Sequence, residues 1–201
     1  MKILVVSDIE ARQYYDYYTP GRLDEFDLII SCGDLPKDYL EFLVTMARCP
    51  LLYVHGNHDD SYDTAPPEGC INIEDMVYVY QGIRFLGLGG SYRYKDSGEH
   101  MYTETQMRLR VWKAGLQIAK NHGFDVLVAH APAYGVGDTE HISHRGFRSF
   151  CRLMDRYHPR YFLHGHVHRN YDPRIPQVRR YGDTTVINAF ECYKLEYQAE
   201  D

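Results

Sequence analysis

The sequence predicts an α/β fold in which two mixed β-sheets pack face to face with helices on the outside. Three observations carry this. Short apolar runs bounded by turn residues recur along the chain, as buried strands do. Segments with apolar residues three and four apart lie between the runs, and strand–helix alternation in the first part favours a mostly parallel sheet with right-handed crossovers. Later runs follow one another through tight turns, which adds antiparallel pairs.

The elements follow in order. "KILVVSD" and "DLIISCGD" read as buried strands. "DYLEFLVTMARC" has helical spacing, with Pro36 suited to a first helical turn. "PLLYVHGN" is a third strand. "MVYVYQGIRFLGLGG" is a hairpin turning at Gln81-Gly82. "TETQMRLRVWKAGLQIAKNHG" is a helix with Thr103 as cap and Gly123 as stop. "DVLVAHAP" and "RYFLHGHVH" are strands on either side of a helix in "GFRSFCRLMDRYHP" that ends at Pro159. "TTVINAFECYKLEY" closes the chain as a further strand run. Residues 11–24, 60–70, 91–101, 133–145 and 169–183 are irregular, and long loops in a compact domain tend to carry function. Neither an internal repeat nor a low-complexity linker interrupts residues 1–201, which read as one domain.

Composition narrows the class. At 44% hydrophobic and 25% charged, the 201 residues exclude a disordered or fibrous chain. A net charge of −6 argues against general affinity for nucleic-acid backbones. No apolar run reaches the roughly 20 residues of a membrane span, and the first residues lack the pattern of a signal peptide. The five cysteines are scattered without a C-x-x-C pair, so reduced thiols in a cytoplasmic protein are expected. Among the 19 tyrosines, "YYDYY" at Tyr14 to Tyr18 is the densest patch. It reads as aromatic packing, with a stacking or partner-binding surface as the alternative.

The strand ends carry the chemistry. The first strand runs into Asp8 and Glu10, and residues two apart in an extended chain share a face. Two carboxylates aimed into one volume need a cation between them. The other runs end in "CGD", "HGNHD", "AHAP" and "HGHVH". Ligands bind at the carboxyl edge of strands in open α/β sheets. One histidine at a strand end is an ordinary hydrogen-bonded residue, but five ends that all deliver metal-capable side chains point to a shared site.

Read in order, Asp8-Ile9-Glu10, Gly33-Asp34, Gly56-Asn57-His58-Asp59, His130 and Gly165-His166-Val167-His168 resemble the calcineurin-like metallophosphoesterases. That family's pattern is D-x-H, G-D, G-N-H-[DE], a His, then G-H-x-H; Glu10 departs from it, standing where a His is usual. The resemblance implies a four-layer double β-sandwich flanked by helices and a site for two divalent ions. Asp34 would bridge them. Asp8, Glu10 and His168 would complete one metal site, and Asn57, His130 and His166 the other. A hydroxide bridging the metals would attack phosphorus. His58 would act as the non-ligand catalytic residue, with Asp59 orienting it, and Asn57, His144 and Arg145 would approach substrate. Gly33, Gly56 and Gly165 are expected to permit the tight turns that lift the ligands off the sheet. A third carboxylate at Glu10 should suit a hard ion, so Mn²⁺ is expected, with Fe, Zn²⁺, Ni²⁺ or Mg²⁺ as alternatives.

The expected function is therefore hydrolysis of a phosphomonoester or phosphodiester. The alternative is a metal-binding, weakly active or inactive scaffold of the same fold. The expected partner is a small phosphorylated substrate, a nucleotide among the candidates, with no membrane; a homo-oligomer stays open. Arg145, Arg169, Arg174, Arg179 and Arg180 fall in loops that could pair with phosphate. His55 and His164 are expected to pack away from the site, and His100, His122 and His158 to be solvated.

Overall fold

Strands covered on both faces read as continuous apolar runs, and the central strands here do. In a computed structural model, which describes residues 1–96, 98–170 and 175–198, they form two sheets. The first sheet has the order β13-β1-β2-β3-β4. Its parallel strands are β1 (Lys2–Ser7), β2 (Leu28–Ser31), β3 (Leu51–Tyr53) and β4 (Ile71–Asn72), and β13 (Glu191–Glu196) pairs antiparallel with β1. The second sheet has the order β11-β12-β10-β9-β6-β5. There β6 (Ile83–Leu88), β9 (Val126–Ala129), β10 (Tyr161–His164) and β12 (Thr184–Asn188) run parallel. The edges β5 (Val77–Tyr80) and β11 (Val178–Tyr181) are antiparallel. A short parallel pair, β7 (Ser91–Tyr92) and β8 (Met101–Tyr102), sits apart from both.

Three apolar clusters hold four layers together. Ile3, Val5, Ile30 and Leu52 of the first sheet meet Phe85, Val126, Val128 and Leu163 of the second. Alternate residues of the first sheet, Leu4, Val6 and Ile29, pack outward on Tyr39, Leu40 and Leu43 of α1 (Lys37–Met46). Leu86, Leu127 and Phe162 do the same against Met107 and Ile118 of α2 (Glu104–Lys120) and Phe150 and Leu153 of α3 (Arg148–Tyr157). This is the predicted double sandwich.

Local signals held at several ends. Thr103 caps α2 by accepting from the Gln106 amide while the Gln106 side chain accepts from the Thr103 amide, a reciprocal capping box. Gly123, at φ 108°, donates back to the Ile118 carbonyl and ends that helix. Gln81 and Gly82, both at positive φ, make the two-residue turn between β5 and β6. "YYDYY" is largely packing: Tyr14 is buried, and Tyr15 and Tyr18 set their rings edge-on to Phe42.

Other readings need correction. "TTVINAFECYKLEY" is two strands in different sheets. The chain crosses between sheets at Ala189 and Phe190, where the Asn188 side chain accepts from the Phe190 amide and donates to the Val167 carbonyl. Arg179 and Arg180, expected in a loop, lie in β11, and Arg180 donates to Thr185 Oγ1. Among the described residues, no helix is long and apolar enough to cross a membrane.

Candidate metal centre

β1, β2, β3, β9 and β10 all end at the same edge of the sandwich, and side chains beyond β1, β2, β3 and β10 line a cavity of about 600 Å³. Its walls include Asp8, Asp34, Asn57, His58, His166 and His168. Tight backbone carries these groups inward. Asp8 (φ 70°), Asp34 (φ 58°) and His166 (φ 66°) all occupy the left-handed region that L-residues avoid. The Ile9 amide donates to the Ser7 carbonyl and the Val167 amide to the Gly165 carbonyl, each at 2.8 Å, so Asp8 and His166 each sit at the apex of a γ-turn. Such conformations cost of order 1–3 kcal/mol apiece and cluster at functional sites.

The glycines act in two ways, which refines the sequence reading. Gly33, at φ 93°, supplies a turn. Gly56 and Gly165 lack positive φ and are needed for close approach instead. A Cβ on Gly56 would overlap the Asp34 carboxylate, and one on Gly165 would overlap Ser7 Oγ.

The donor atoms converge. His130 Nε2 lies 3.2 Å from Asp34 Oδ2 and 3.0 Å from His166 Nδ1, and one ligand atom from each of the three falls within 4.8 Å of the others. His130 Nδ1 donates to the Cys32 carbonyl at 2.8 Å, which turns Nε2 into the cavity. His166 Nε2 meets the Ser143 carbonyl, leaving Nδ1 to face His130. Asp8 accepts from the His166 amide at 2.9 Å and lies 3.5 Å from His168 Nε2. Asp34 Oδ1 accepts from the His58 amide at 2.8 Å. Asp59 Oδ2 takes the amides of Asp34 (2.8 Å) and Gly56 (2.7 Å), so it braces the loop that presents Asn57 and His58.

Charge follows this packing. Burial pushes the Asp34 carboxyl up, but the facing His130 imidazolium outweighs it and holds the group well below the usual carboxylate range. Burial opposes charge on His130 too, yet Asp34 raises it to about 9. His166 falls to about 3 through burial and then the His130 charge. Burial and then Asp34 raise Asp59. His144 is lowered by burial and then by His168 and His141.

The residues fit divalent cations. The Asn57 side chain is buried, and neither its oxygen nor its nitrogen has a hydrogen-bond partner among the described residues. An orphaned buried polar group costs about 1–3 kcal/mol, and an ion accepting the Asn57 oxygen would remove that cost. Two imidazole nitrogens turned toward each other beside a carboxylate form a nitrogen–oxygen donor set suited to Zn²⁺, Mn²⁺ or Fe.

The structure does not gather every predicted residue. Glu10 is not among the residues lining the cavity. β1 stops at Ser7, and the γ-turn at Asp8 breaks the extended geometry that would have kept positions 8 and 10 on one face. The Tyr39 phenol is raised by burial first and by the Glu10 charge among lesser causes. Glu10→Gln is accordingly expected to leave the bound-metal count unchanged by elemental analysis; loss of an ion would return Glu10 to the ligand set. Arg145 also lies outside the cavity, its guanidinium over the Tyr92 ring at 5.0 Å. Arg169, Arg179 and Arg180 are likewise absent from its lining, and Arg174 lies outside the described residues. His144 does line it, edge-on to His166 at 5.3 Å. Tyr94, His141 and Ser143 complete the wall. Tyr94 and Ser143 escape a sequence reading because only their location in two long irregular segments hints at them. His100, expected to be solvated, is buried.

Comparison with known proteins gives the family. The chain is 24% identical to the UPF0046 protein K07C11.7 of Caenorhabditis elegans, over 96% of this chain and 71% of that protein. It is 24% identical to the uncharacterized protein MJ1162 of Methanocaldococcus jannaschii, over 94% and 87% of the two chains. The crystal structure of TT1561 of Thermus thermophilus shares the fold, with a TM-score of 0.59 at 15% identity over 94% of this chain and 89% of that one. The profile described as calcineurin-like phosphoesterase matches residues 1–170, from the first strand through the last cavity histidine. The side chains that meet in the cavity are thus drawn from the whole matched span, and the protein belongs to the calcineurin-like phosphoesterase family.

Proposed function

We propose that this chain is a hydrolase that cleaves a phosphomonoester or phosphodiester at a centre for two divalent metal ions. The observation that carries the reading is the unpartnered, buried Asn57 amide beside the Asp34–His130–His166 donors. Asp34 would serve both halves of the centre, with Asp8 and His168 on one side and Asn57, His130 and His166 on the other. Bound there, the two ions would supply Lewis-acid polarisation of phosphoryl oxygen and a nucleophile from water at neutral pH.

The protein's own groups then have distinct tasks. His58 is exposed at the cavity, with its backbone anchored on Asp34, so its imidazole can protonate a leaving oxygen. Asp59 keeps that loop in place through two amides rather than through the His58 ring. His144, held toward its neutral form, offers phosphate a hydrogen bond more than a full charge. A cavity of about 600 Å³ suits a small ligand of nucleotide size.

The scaffold reading draws on one observation: Glu10 is not among the residues lining the cavity, and without it one half of the centre would be a ligand short. The test is turnover of an aryl phosphate and an aryl phosphodiester by chelator-stripped protein reloaded with Mn²⁺, Fe²⁺, Zn²⁺, Ni²⁺ or Mg²⁺. Metal-dependent release of product from either ester is expected. Protein that binds the metals and releases nothing from either would support the scaffold instead.

A further inference from the structure

A second cluster of ligating side chains lies outside the cavity. His55 follows β3, Asp63 closes the short 3-10 turn Asp60–Asp63, and His100 precedes β8. None of the three lines the cavity described above. We propose that they form a separate site for one divalent cation of the zinc type.

Both histidines are buried, at 5% and 8% exposure, and their rings stack with centroids 4.3 Å apart. Each directs Nε2 to the same carboxylate: His100 Nε2 lies 3.1 Å from Asp63 Oδ2 and His55 Nε2 3.9 Å from Asp63 Oδ1. One donor atom from each residue lies within 4.8 Å of the others. Tetrahedral zinc with bonds of roughly 2.0–2.2 Å holds its ligand atoms about 3.3–3.6 Å apart, which falls between those two separations. Two imidazoles and a carboxylate leave a fourth position, open to water because the Asp63 side chain is 47% exposed.

The surroundings of His55 support the assignment. Its Nδ1 faces Glu74 Oε2 at 3.4 Å, which makes Nδ1 the protonated nitrogen and leaves the Nε2 lone pair for an ion. A carboxylate behind a ligating imidazole is the usual outer partner of protein-bound zinc. Glu74 is itself fixed by the Gly89 amide at 2.9 Å and by Arg110. The backbone already joins the participating segments: the Gly90 amide donates to the His55 carbonyl at 2.7 Å, and the Ser91 amide to the His100 carbonyl at 3.0 Å. An ion here would clip the loop that carries Asn57 and His58 to the segment that carries Tyr94.

The experiment is a zinc count on the full chain, equilibrated with Zn²⁺, desalted and weighed by native mass spectrometry. Asp63→Ala and His100→Gln are each expected to carry one zinc fewer per chain than the unsubstituted protein. Asp34→Asn should lose zinc from the cavity while keeping the increment that Asp63→Ala removes. Because the result is a difference, it holds whatever number the cavity binds. Asp63 is exposed, so its substitution should leave the far-ultraviolet circular dichroism unchanged. Zinc should also raise the unfolding midpoint of the unsubstituted protein further than that of Asp63→Ala. Equal zinc counts in the unsubstituted protein and both variants would overturn the proposal, as would loss of more than one ion from the folded Asp63→Ala protein.

Discussion

Arg110→Ala is expected to lower the stability of the protein by about 3–5 kcal/mol, the cost of removing one partner from a buried ion pair. The side chain is 10% exposed. Its guanidinium donates to Asp75 Oδ1 at 2.9 Å, to the Gly89 carbonyl at 2.8 Å and to Glu74, and stacks 4.3 Å from the Tyr102 ring centre. Without it, Glu74 keeps a largely buried charge supported, among the described residues, by His55 and two backbone amides. At roughly 2–4 °C per kcal/mol for a chain of this size, the unfolding midpoint should drop by roughly 6–20 °C in a calorimetric scan. Arg156→Ala on the surface should stay within about 0.5 kcal/mol. A midpoint shift for Arg110→Ala no larger than that of Arg156→Ala would remove the network from the account.

The same network sets an acid limit. Burial pushes the Glu74 carboxyl up, but the His55 hydrogen bond and then the Arg110 charge outweigh it and bring the group down to about 2. A carboxyl depressed in the folded state contributes its full stability above its unfolded value, near 4.5, and loses it as pH falls toward 2. Arg110→Ala removes one of the interactions that lower it, so acid unfolding of the variant should begin at a higher pH.

His58→Ala is expected to cut turnover roughly 10²–10⁴-fold, the usual worth of a positioned acid or base, while the metal content stays the same. The reason lies in which atoms do what: Asp34 is held by the His58 amide, and alanine keeps that amide. Only the imidazole at the cavity mouth is lost. Steady-state kinetics on the aryl esters, with elemental analysis of the same samples, separates the roles. Metal lost along with activity would make His58 a ligand, and unchanged turnover would leave the leaving group to another donor.

Much of the centre was legible because metal chemistry restricts residue types. Asp8, Asp34, Asn57, His58, His130, His166 and His168 stand at strand ends, and all seven line the cavity or join its donor cluster. Buried strands and capped helices were legible for a similar reason, since Thr103 and Gly123 satisfy local backbone demands. Spacing two apart implies a shared face only while the chain stays extended, and Asp8 turns it, so Glu10 is not among the residues lining the cavity. Asp59 reads as a charged partner for the His58 ring, and in the structure its Oδ2 also takes the amides of Asp34 and Gly56. The Asp34 amide arrives from the end of a different strand, a contact that no local motif announces.

Residue chemistry and periodicity, both written along the chain, were enough to name the side chains a metal site could draw on, the strands that deliver them and the layers that bury those strands. Four outcomes needed the folded molecule: which sheet each of the last two strands joins, the departure of Glu10 from the cavity, the entry of Tyr94 and Ser143, and the meeting of His55 with His100. Each depends on contacts between segments far apart in the chain, and on backbone turns held by partners that no local pattern names.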